Sequence, residues 1–519
     1  PEFVFQQDCF FITLKYAKEA FMQLTKRNFL KGNIAVAAAA IIGSTNTSAR
    51  TTDEAKKWSG EYDVVIIGAG GAGLAGAIEA IQLGLSAVVV EKMPFSGGSS
   101  ALCGGSFTVP DTPFQKKEGI KDSAEKFVED MLKVGKHKND PELLKSYVPA
   151  AQKHLKFITE ERGIKPIEIA VFAGMSVPRA HNFKPSEVLM DMTKYVTEHG
   201  VKIMYNTAAK RLVWGDKEKA VVGVECIERS KEKIFIAAKK GVLIASGGFA
   251  RNKALLEKYN PLMSKVDPEG GIGNTGDGLL MAQEYGADTR DMTYIKATHG
   301  YRPTEPKFTT TFHGYYGGGV LVDKKGKRFT NEEQSYKLLA DESLKLENGI
   351  SYLVFDEPIR QSRMKARAVE KAYLSQMDGG KKVPWCFQAP TLEKAAALAD
   401  VDPKGLSETI KKYNEDIEST GKDSVFGRTE LSAGYGKAVP IKTGPFYIYP
   451  VKPRLIATYC GLRINNKGQV INVFGEPIPH LYAAGEVTGG VHGAAYMSGT
   501  AWGKAMAYGR IAVENMAKQ

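Results

Sequence analysis

The chain has 519 residues, 43% hydrophobic and 25% charged, a globular composition long enough for two or three domains and a large core. A net charge of +12 with no dense Lys/Arg block and interleaved aromatics argues against nucleic acid and leaves an acidic partner or an anionic substrate. Cys9, Cys103, Cys226, Cys386 and Cys460 form no C-x-x-C pair and no C-x-x-C-H, so the sequence shows neither a zinc or iron–sulfur site, nor a disulfide framework, nor a c-type haem attachment.

From Met22 the chain reads "MQLTKRNFLKGNIAVAAAAIIGSTNTSA". Residues Thr25 to Lys31 are similar to a twin-arginine export motif with Lys26 in place of the first arginine, and an apolar run and a small-residue end near Ala49 follow. The run Ile34–Ile42 is too short to cross about 30 Å of hydrocarbon. Residues 22–49 are therefore expected to be an export signal, giving a periplasmic protein with no membrane span in the mature chain. The competing reading is an amphipathic N-terminal helix. Residues 1–21 precede the expected start.

Residues 62–92 carry a βαβ unit: a buried strand at Tyr62–Ile67, a helix over Gly73–Leu83 and a parallel strand at Ala87–Val90. Between strand and helix stands Gly68-x-Gly70-x-x-Gly73. Gly68 permits the tight turn, Gly70 admits a pyrophosphate, and Gly73 lets helix and strand pack closely. Ala69, Gly71 and Ala72 complete a loop whose helix N-terminus faces phosphate. Glu91 lies 18 residues beyond Gly73, placed for a ribose hydroxyl pair. The glycine pattern alone would also suit an ordinary turn; strand, helix, second strand and acid together indicate a dinucleotide.

Further along, residues 122–162 have helical periodicity. Residues 201–227 alternate as strands around the turn Gly215-Asp216-Lys217, and "GVLIAS" (241–246) is an apolar strand before Gly247-Gly248. The texture changes near His299. "GGGVLVDKKGKRFTNE" reads as a hairpin, "SYLVFD" (351–356) as a strand, and 391–420 as two helices split at Asp402-Pro403. Strands return from Gly444, and the tail is a strand, a glycine-rich loop and a small-residue helix. The expected fold is α/β: a discontinuous Rossmann-like domain over 60–298 and 441–519, with an inserted α+β capping domain over 299–440. Two late returns favour FAD over NAD: Asn274-Thr275-Gly276-Asp277 in a turn, and "LYAAGEV", a strand ending at Gly485 and Glu486.

"VVIIGAGGAGLAGAIEA", "EKMPFSGGSSALCGG", "GVLIASGGFARN", "NTGDGLLMAQEYGADTRDMTYI", "GVLVDKKGKRFTNE" and "LYAAGEVTGGVHGA" occur in this order between residues 60 and 519. This set resembles the flavoprotein subunit of fumarate reductase and succinate dehydrogenase, most of all the soluble periplasmic flavocytochrome c branch with its fumarate, urocanate and methacrylate reductases. The resemblance implies FAD, a capping domain over it and catalysis at their interface. It extends the cofactor set to Lys92, Gly97, Gly98, Ser99, Ser100, Gly104, Gly105, Ala208, Ser246, Gly247, Thr500, Ala501 and Trp502. Members with covalent FAD attach it through a histidine after the Gly-Gly loop. Here Gly97-Gly98-Ser99-Ser100-Ala101 has none, which implies non-covalent FAD. It also implies a separate electron donor, a c-type cytochrome fed from the quinone pool in anaerobic respiration, and a small unsaturated organic substrate.

Family reductases pass a hydride from flavin N5 to one alkene carbon, and an arginine in a "G-x-R-F/Y" segment protonates the other. Gly326-Lys327-Arg328-Phe329 matches, which makes Arg328 the expected proton donor. Without the resemblance Arg328 reads as a solvated hairpin arginine. The fumarate clamp is broken. "H-P-T" meets Thr298-His299-Gly300, and "T-E-x-x-R-G" meets Thr311-Phe312-His313-Gly314-Tyr315-Tyr316. The late "H-H-T-M-G-G" meets Ile456-Ala457-Thr458-Tyr459-Cys460-Gly461, and the carboxylate-binding arginine becomes Tyr496. Losing a bidentate Arg–carboxylate contact in a closed site costs several kcal/mol, so fumarate is not the expected substrate.

Tyr301, Tyr315, Tyr316, Tyr459 and Tyr496 supply hydroxyls in its place. Phenols can donate to a carbonyl oxygen or relay a proton, and each can equally be packing. "Y-M-S-G-T" is similar to the carbonyl-gripping loop of flavin ketosteroid dehydrogenases, so Tyr496 with the backbone at Gly499 and Thr500 is expected to polarise a carbonyl. Tyr315 is taken as a further catalytic phenol; His299, Tyr301, Phe312, Tyr316 and Tyr459 as substrate-binding. Arg179, Arg302, Arg454 and His181 are the other candidates for a single carboxylate, Arg179 and His181 equally as an interface brace. The expected enzyme saturates a C=C bond conjugated to a carbonyl or carboxylate. Ketosteroid-type dehydrogenation, a silent electron carrier and a fumarate reductase with an altered clamp stay open.

Overall fold

A computed structural model describes residues 57–519 apart from 173, 304–310, 367 and 432–435. The expected export signal lies outside the described residues. β-Branched runs make the central strands. Gly60–Ile67, with Val64 to Ile67 buried on both faces, pairs in parallel with Ala87–Val90 on one side and Lys233–Ile244 on the other. Lys202–Met204 extends one flank; Pro477–Ala483 and Gln469–Ile471 extend the other. The hairpin Ala208–Gly215/Ala220–Ile227 joins through Lys233–Ile244, completing an eight-stranded sheet. The last strand of the sequence thus lies beside one of its middle strands. This places residues 477–519 against the first βαβ unit.

Helix Gly71–Gln82 packs on helix Thr500–Ala517 at glycine contacts: a Cβ on Gly509 would collide with the Ala72 carbonyl. Small residues at both sides of this crossing therefore hold the first βαβ unit and the tail helix together.

A second sheet gathers Thr298–Tyr301, Val320–Val322, Ser351–Asp356, Phe387–Ala389 and Phe446–Arg454 around its own apolar cluster, in which Phe355 stacks on Tyr447. Four expectations change here. The strand Phe446–Arg454 runs along Ser351–Asp356, so the inserted layer continues past its expected end at 440. The "DKKG" segment does turn, with the Lys327 carbonyl accepting from Asp323 N–H, but only Val322 and Arg328 bridge across it. Val320–Val322 instead pairs with Ser351–Asp356, because its three apolar residues are buried there. Residues 122–162 form two helices, Ala124–Val134 and Pro141–Lys156, with a one-turn π extension, separated where Asp140 caps the second. The helix after the glycine loop begins at Gly71, two residues before its expected start. The two helices of 391–420 form as expected, with Asp402 accepting from Lys404 and Gly405 N–H at the head of Pro403–Thr420.

Candidate active site

The glycine loop, the tail and the inserted layer enclose one cavity of about 590 Å³. Gly68 has φ +105°, and a Cβ there would press on the Ala245 carbonyl. Gly73 would clash with the Gly68 carbonyl oxygen. Ser100 Oγ accepts from Gly71 N–H at 3.2 Å at the head of helix Gly71–Gln82, and Gly70, lacking a side chain, leaves the rest of that positive end facing the cavity. The Glu91 carboxylate accepts from Ala69 N–H at 2.7 Å and Met93 N–H at 2.8 Å, so it is fixed beside the loop. Both late returns arrive where expected. Lys92 Nζ donates to Thr275 Oγ1 and Asp277, each at 2.6 Å. Asn274 donates to Ser99 Oγ and to Glu486, each at 3.0 Å. Burial pushes the Glu486 carboxyl up and the Lys504 ammonium down to about 8. Ser246 Oγ, His492 Nε2 and Trp502 Nε1 are buried cavity-lining atoms without a protein partner. A hydrogen-bonding dinucleotide along this groove satisfies such atoms, so the residues fit FAD.

The other end of the cavity is walled by phenols: Tyr301, Tyr316, Tyr336, Tyr459 and Tyr496, with Thr298, His313, His492 and Arg363. Tyr459 stacks on Tyr496 at 4.7 Å, and His492 stands edge-on to both. The Tyr496 hydroxyl accepts from Gly499 N–H at 2.8 Å. Tyr336 belongs to helix Tyr336–Ser343 of the inserted layer, and its hydroxyl meets Ser498 Oγ of the tail at 2.8 Å, bridging the two layers. Burial pushes the Tyr336 phenol up to about 12 and raises Tyr301, Tyr459 and Tyr496 as well. Burial, with the charges of Lys504 and Lys337, holds His492 far below the usual imidazole range. The wall therefore presents neutral donors at ordinary pH.

Arg328 does not reach this cavity. Its Nε and Nη2 lie on Glu332 at 3.0 and 2.6 Å, its Nη1 on Asp423 at 2.7 Å, and the guanidinium is sandwiched by Tyr413 and Phe426. The two carboxylates raise its pKa despite the opposing effect of burial. It lines a separate small hollow with Lys327, Glu408 and Tyr413. An arginine clamped by two buried carboxylates, off the cavity, is not the proton donor that the motif led us to expect.

Other expected residues also fall outside the lining. His299 points to Ser351 Oγ at 3.0 Å. Phe312 packs edge-on against Phe355 and Tyr449 in the core of the inserted layer. Tyr315 is fully buried behind Tyr316. Arg179 is bound to Asp122 and Asp130, and His181 to Thr112, as an internal brace. Arg454 pairs with Glu269, and Arg302 lies over Tyr373 and Trp385. Among the expected cofactor residues, Ala208 gives way to its chain neighbours Thr207 and Ala209. Ala69, Gly73, Gly97, Thr275, Gly276 and Thr500 shape or brace the wall from behind, Thr500 through bonds to Met497 O and His492. Tyr336, Thr298, Arg363 and His492 were not singled out. Only a signal coupling residues 298, 336, 363 and 492 could have found them, since they are brought together by strand pairing and layer contact.

A family model described as "FAD binding domain" matches residues 63–501. The chain is 31% identical over 464 residues to an NADH:fumarate oxidoreductase of Klebsiella pneumoniae (strain 342), covering 88% of this chain but only 48% of that protein, about half its length. It is 30% identical over 516 residues to an acrylate reductase flavoprotein subunit of Shewanella woodyi, covering 95% of this chain and 98% of that one. Among solved structures it is similar to the open conformation of a flavocytochrome c3 fumarate reductase, with TM-score 0.74 and 27% identity over 94% of this chain and 81% of the other. Within the described residues no helix is long and apolar enough to cross a membrane. The chain binds FAD and belongs to the fumarate/succinate reductase superfamily of flavoproteins, as an FAD-dependent oxidoreductase acting on CH–CH bonds.

Proposed function

We propose that this enzyme saturates a C=C bond conjugated to a carbonyl or to a single carboxylate, and that fumarate is not its substrate. The observation that carries the reading is the phenol wall. Arg363 is the only guanidinium among the described lining residues, and its Nε and Nη2 are engaged by Glu370 at 2.6 and 2.7 Å. One guanidinium so engaged can attract one carboxylate; a dicarboxylate would leave its second charge among phenols, without the charge-assisted pair that offsets desolvation. The similarity to an acrylate reductase subunit over nearly its whole length supports a monocarboxylate.

The glycine loop and Glu486 would hold FAD non-covalently, and the bound flavin would supply the hydride. The Tyr496 hydroxyl, held and polarised by the Gly499 N–H it accepts from, orients the conjugated carbonyl and stabilises the charge that builds on it. We assign the proton to a cavity phenol in place of Arg328, and first to Tyr336, whose hydroxyl bridges the two layers. A phenol raised to about 12 is matched to a strongly basic enolate carbon. We retain a separate c-type cytochrome as electron donor, and export of the enzyme to the periplasm under the signal of residues 22–49, as parts of this reading.

The test is anaerobic reoxidation of chemically reduced holoenzyme against fumarate, methacrylate, acrylate, urocanate, cinnamates and enones. Fast reoxidation by a monocarboxylate or an enone with none by fumarate is expected. Reoxidation by fumarate at the rate of the best acceptor would overturn the reading. Because Arg328 lies off the cavity, Arg328→Ala cannot separate reduction from ketosteroid-type dehydrogenation. Oxidation of 3-ketosteroids with an artificial acceptor separates them.

A further inference from the structure

Behind the phenol wall sits Lys337, completely buried, on the same helix as Tyr336. Its Nζ donates to Thr298 Oγ1 at 2.5 Å and to the Lys296 carbonyl at 3.3 Å. It lies 4.5 Å from the Tyr459 ring centre, 5.7 Å from Tyr336 and 5.8 Å from Tyr496. No carboxylate forms an ion pair with it among the described contacts; Asp341, one turn along the helix, is taken by Lys296 at the partly exposed rim. A fully buried lysine spread over three aromatic faces is costly as a structural strut, because a methionine or leucine would fill the space without desolvating a charge. Thr298, its direct partner, lines the cavity.

We infer that Lys337 is a positioning residue that reloads the proton consumed in each turnover, through the Thr298 hydroxyl. The inference rests on the reductase reading. Each saturation takes one hydride and one proton. When a cavity phenol gives its proton to the substrate carbon, a phenolate remains. Thr298 donates its hydroxyl proton into the cavity while accepting one from the Lys337 ammonium, so the phenol is restored and Lys337 becomes a neutral amine. Solvent protons return to Lys337 past the Lys296–Asp341 pair at the rim. Before that transfer the Lys337 charge also offsets the phenolate.

Burial depresses Lys337 to about 7, which lets it alternate between ammonium and amine near neutral pH. The groups that face it are Asp341 and Tyr336 on its own helix, Lys296 before strand Thr298–Tyr301, Tyr459, Glu486, and His492 with Tyr496 on the tail loop. Of these, Asp341 and Glu486 favour its charge, but less than burial opposes it.

The experiment compares multiple-turnover reduction of acrylate, methacrylate, cinnamate and cyclohexenone by holoenzyme, with reduced methyl viologen as electron donor, from about pH 5 to 9 in wild type, Lys337→Met, Lys337→Arg, Thr298→Val and Thr298→Ser. Wild type is expected to slow above about pH 7 through one ionisation. Lys337→Met and Thr298→Val should each lose about 10²-fold in rate with unchanged FAD content, and the double variant should be no slower than either. Thr298→Ser should restore the rate, and Lys337→Arg should be slow with no alkaline decline, because arginine keeps its proton. Wild-type rates and pH profiles in Lys337→Met and Thr298→Val would overturn the inference. If wild type is silent with every acceptor, the reductase reading itself fails. Urea unfolding then decides the lysine: the midpoint of wild type relative to Lys337→Met should rise between about pH 7 and 9, and a constant difference would overturn a titrating Lys337.

Discussion

Arg328 shows how a matched motif can hold a residue for stability and not for chemistry. Its side chain is 3% exposed and bound to Glu332 and Asp423, which are themselves buried. Arg328→Met is expected to leave buried Asp423 with only the Val425 and Phe426 N–H groups and Glu332 with only Arg428 and the Leu321 N–H, and to cost about 3–5 kcal/mol in urea unfolding. The rate of flavin reoxidation per folded, FAD-loaded enzyme should stay within about threefold of wild type. A loss of about 10³-fold or more in that rate, with FAD retained, would return Arg328 to the proton-donor role. Tyr336 gives the complementary case. Tyr336→Phe keeps the ring but removes the hydroxyl that meets Ser498, and should slow reoxidation about 10²-fold without loss of FAD. Lys337 has a pH signature of its own. Its folded pKa is below its unfolded value, so between about pH 7 and 10 the unfolded state binds more protons and stability rises with pH. The wild-type advantage over Lys337→Met should grow by about 2 kcal/mol from pH 7 to 9, measured by urea denaturation in each buffer.

At the scale of elements, the cofactor end depends on close backbone approach. Gly73→Ala would drive a methyl into the Gly68 carbonyl and push helix Gly71–Gln82 off the first strand. The expected result is about 1–3 kcal/mol of lost stability together with FAD lost on gel filtration. Full FAD content in that variant would show that the loop can shift without harm. This part of the molecule was legible in advance because its signals are local. Val64 to Ile67, the glycines, the small-residue helix and Glu91 lie within about thirty residues and answer to periodicity and φ alone. The segment Val320–Arg328 was misread for the opposite reason. Its turn chemistry is that of a hairpin, but Val320–Val322 finds a better partner in Ser351–Asp356, and only burial against Leu353 and Val354 reveals the choice.

At the scale of the whole molecule, the cavity is made by three distant parts of the chain: the first βαβ unit, the inserted layer and the tail. Tyr336 touches Ser498, Lys337 reaches Thr298, and Asn274 meets both Ser99 and Glu486. The sequence by itself determined the α/β class and the dinucleotide loop with Glu91, which follow from residue type and short-range geometry. The late returns that complete an FAD site and the missing arginine and histidines of a dicarboxylate clamp were what the family resemblance implied. Only the tertiary structure decided which polar groups face the substrate. It removed Arg328, His299, Phe312 and Tyr315 from the wall and brought in Tyr336, Thr298, Arg363 and His492. The physical reason is that a side chain's role here depends on which face of a strand or helix meets the other layer, and that is fixed by the joint burial of two cores, not by local pattern.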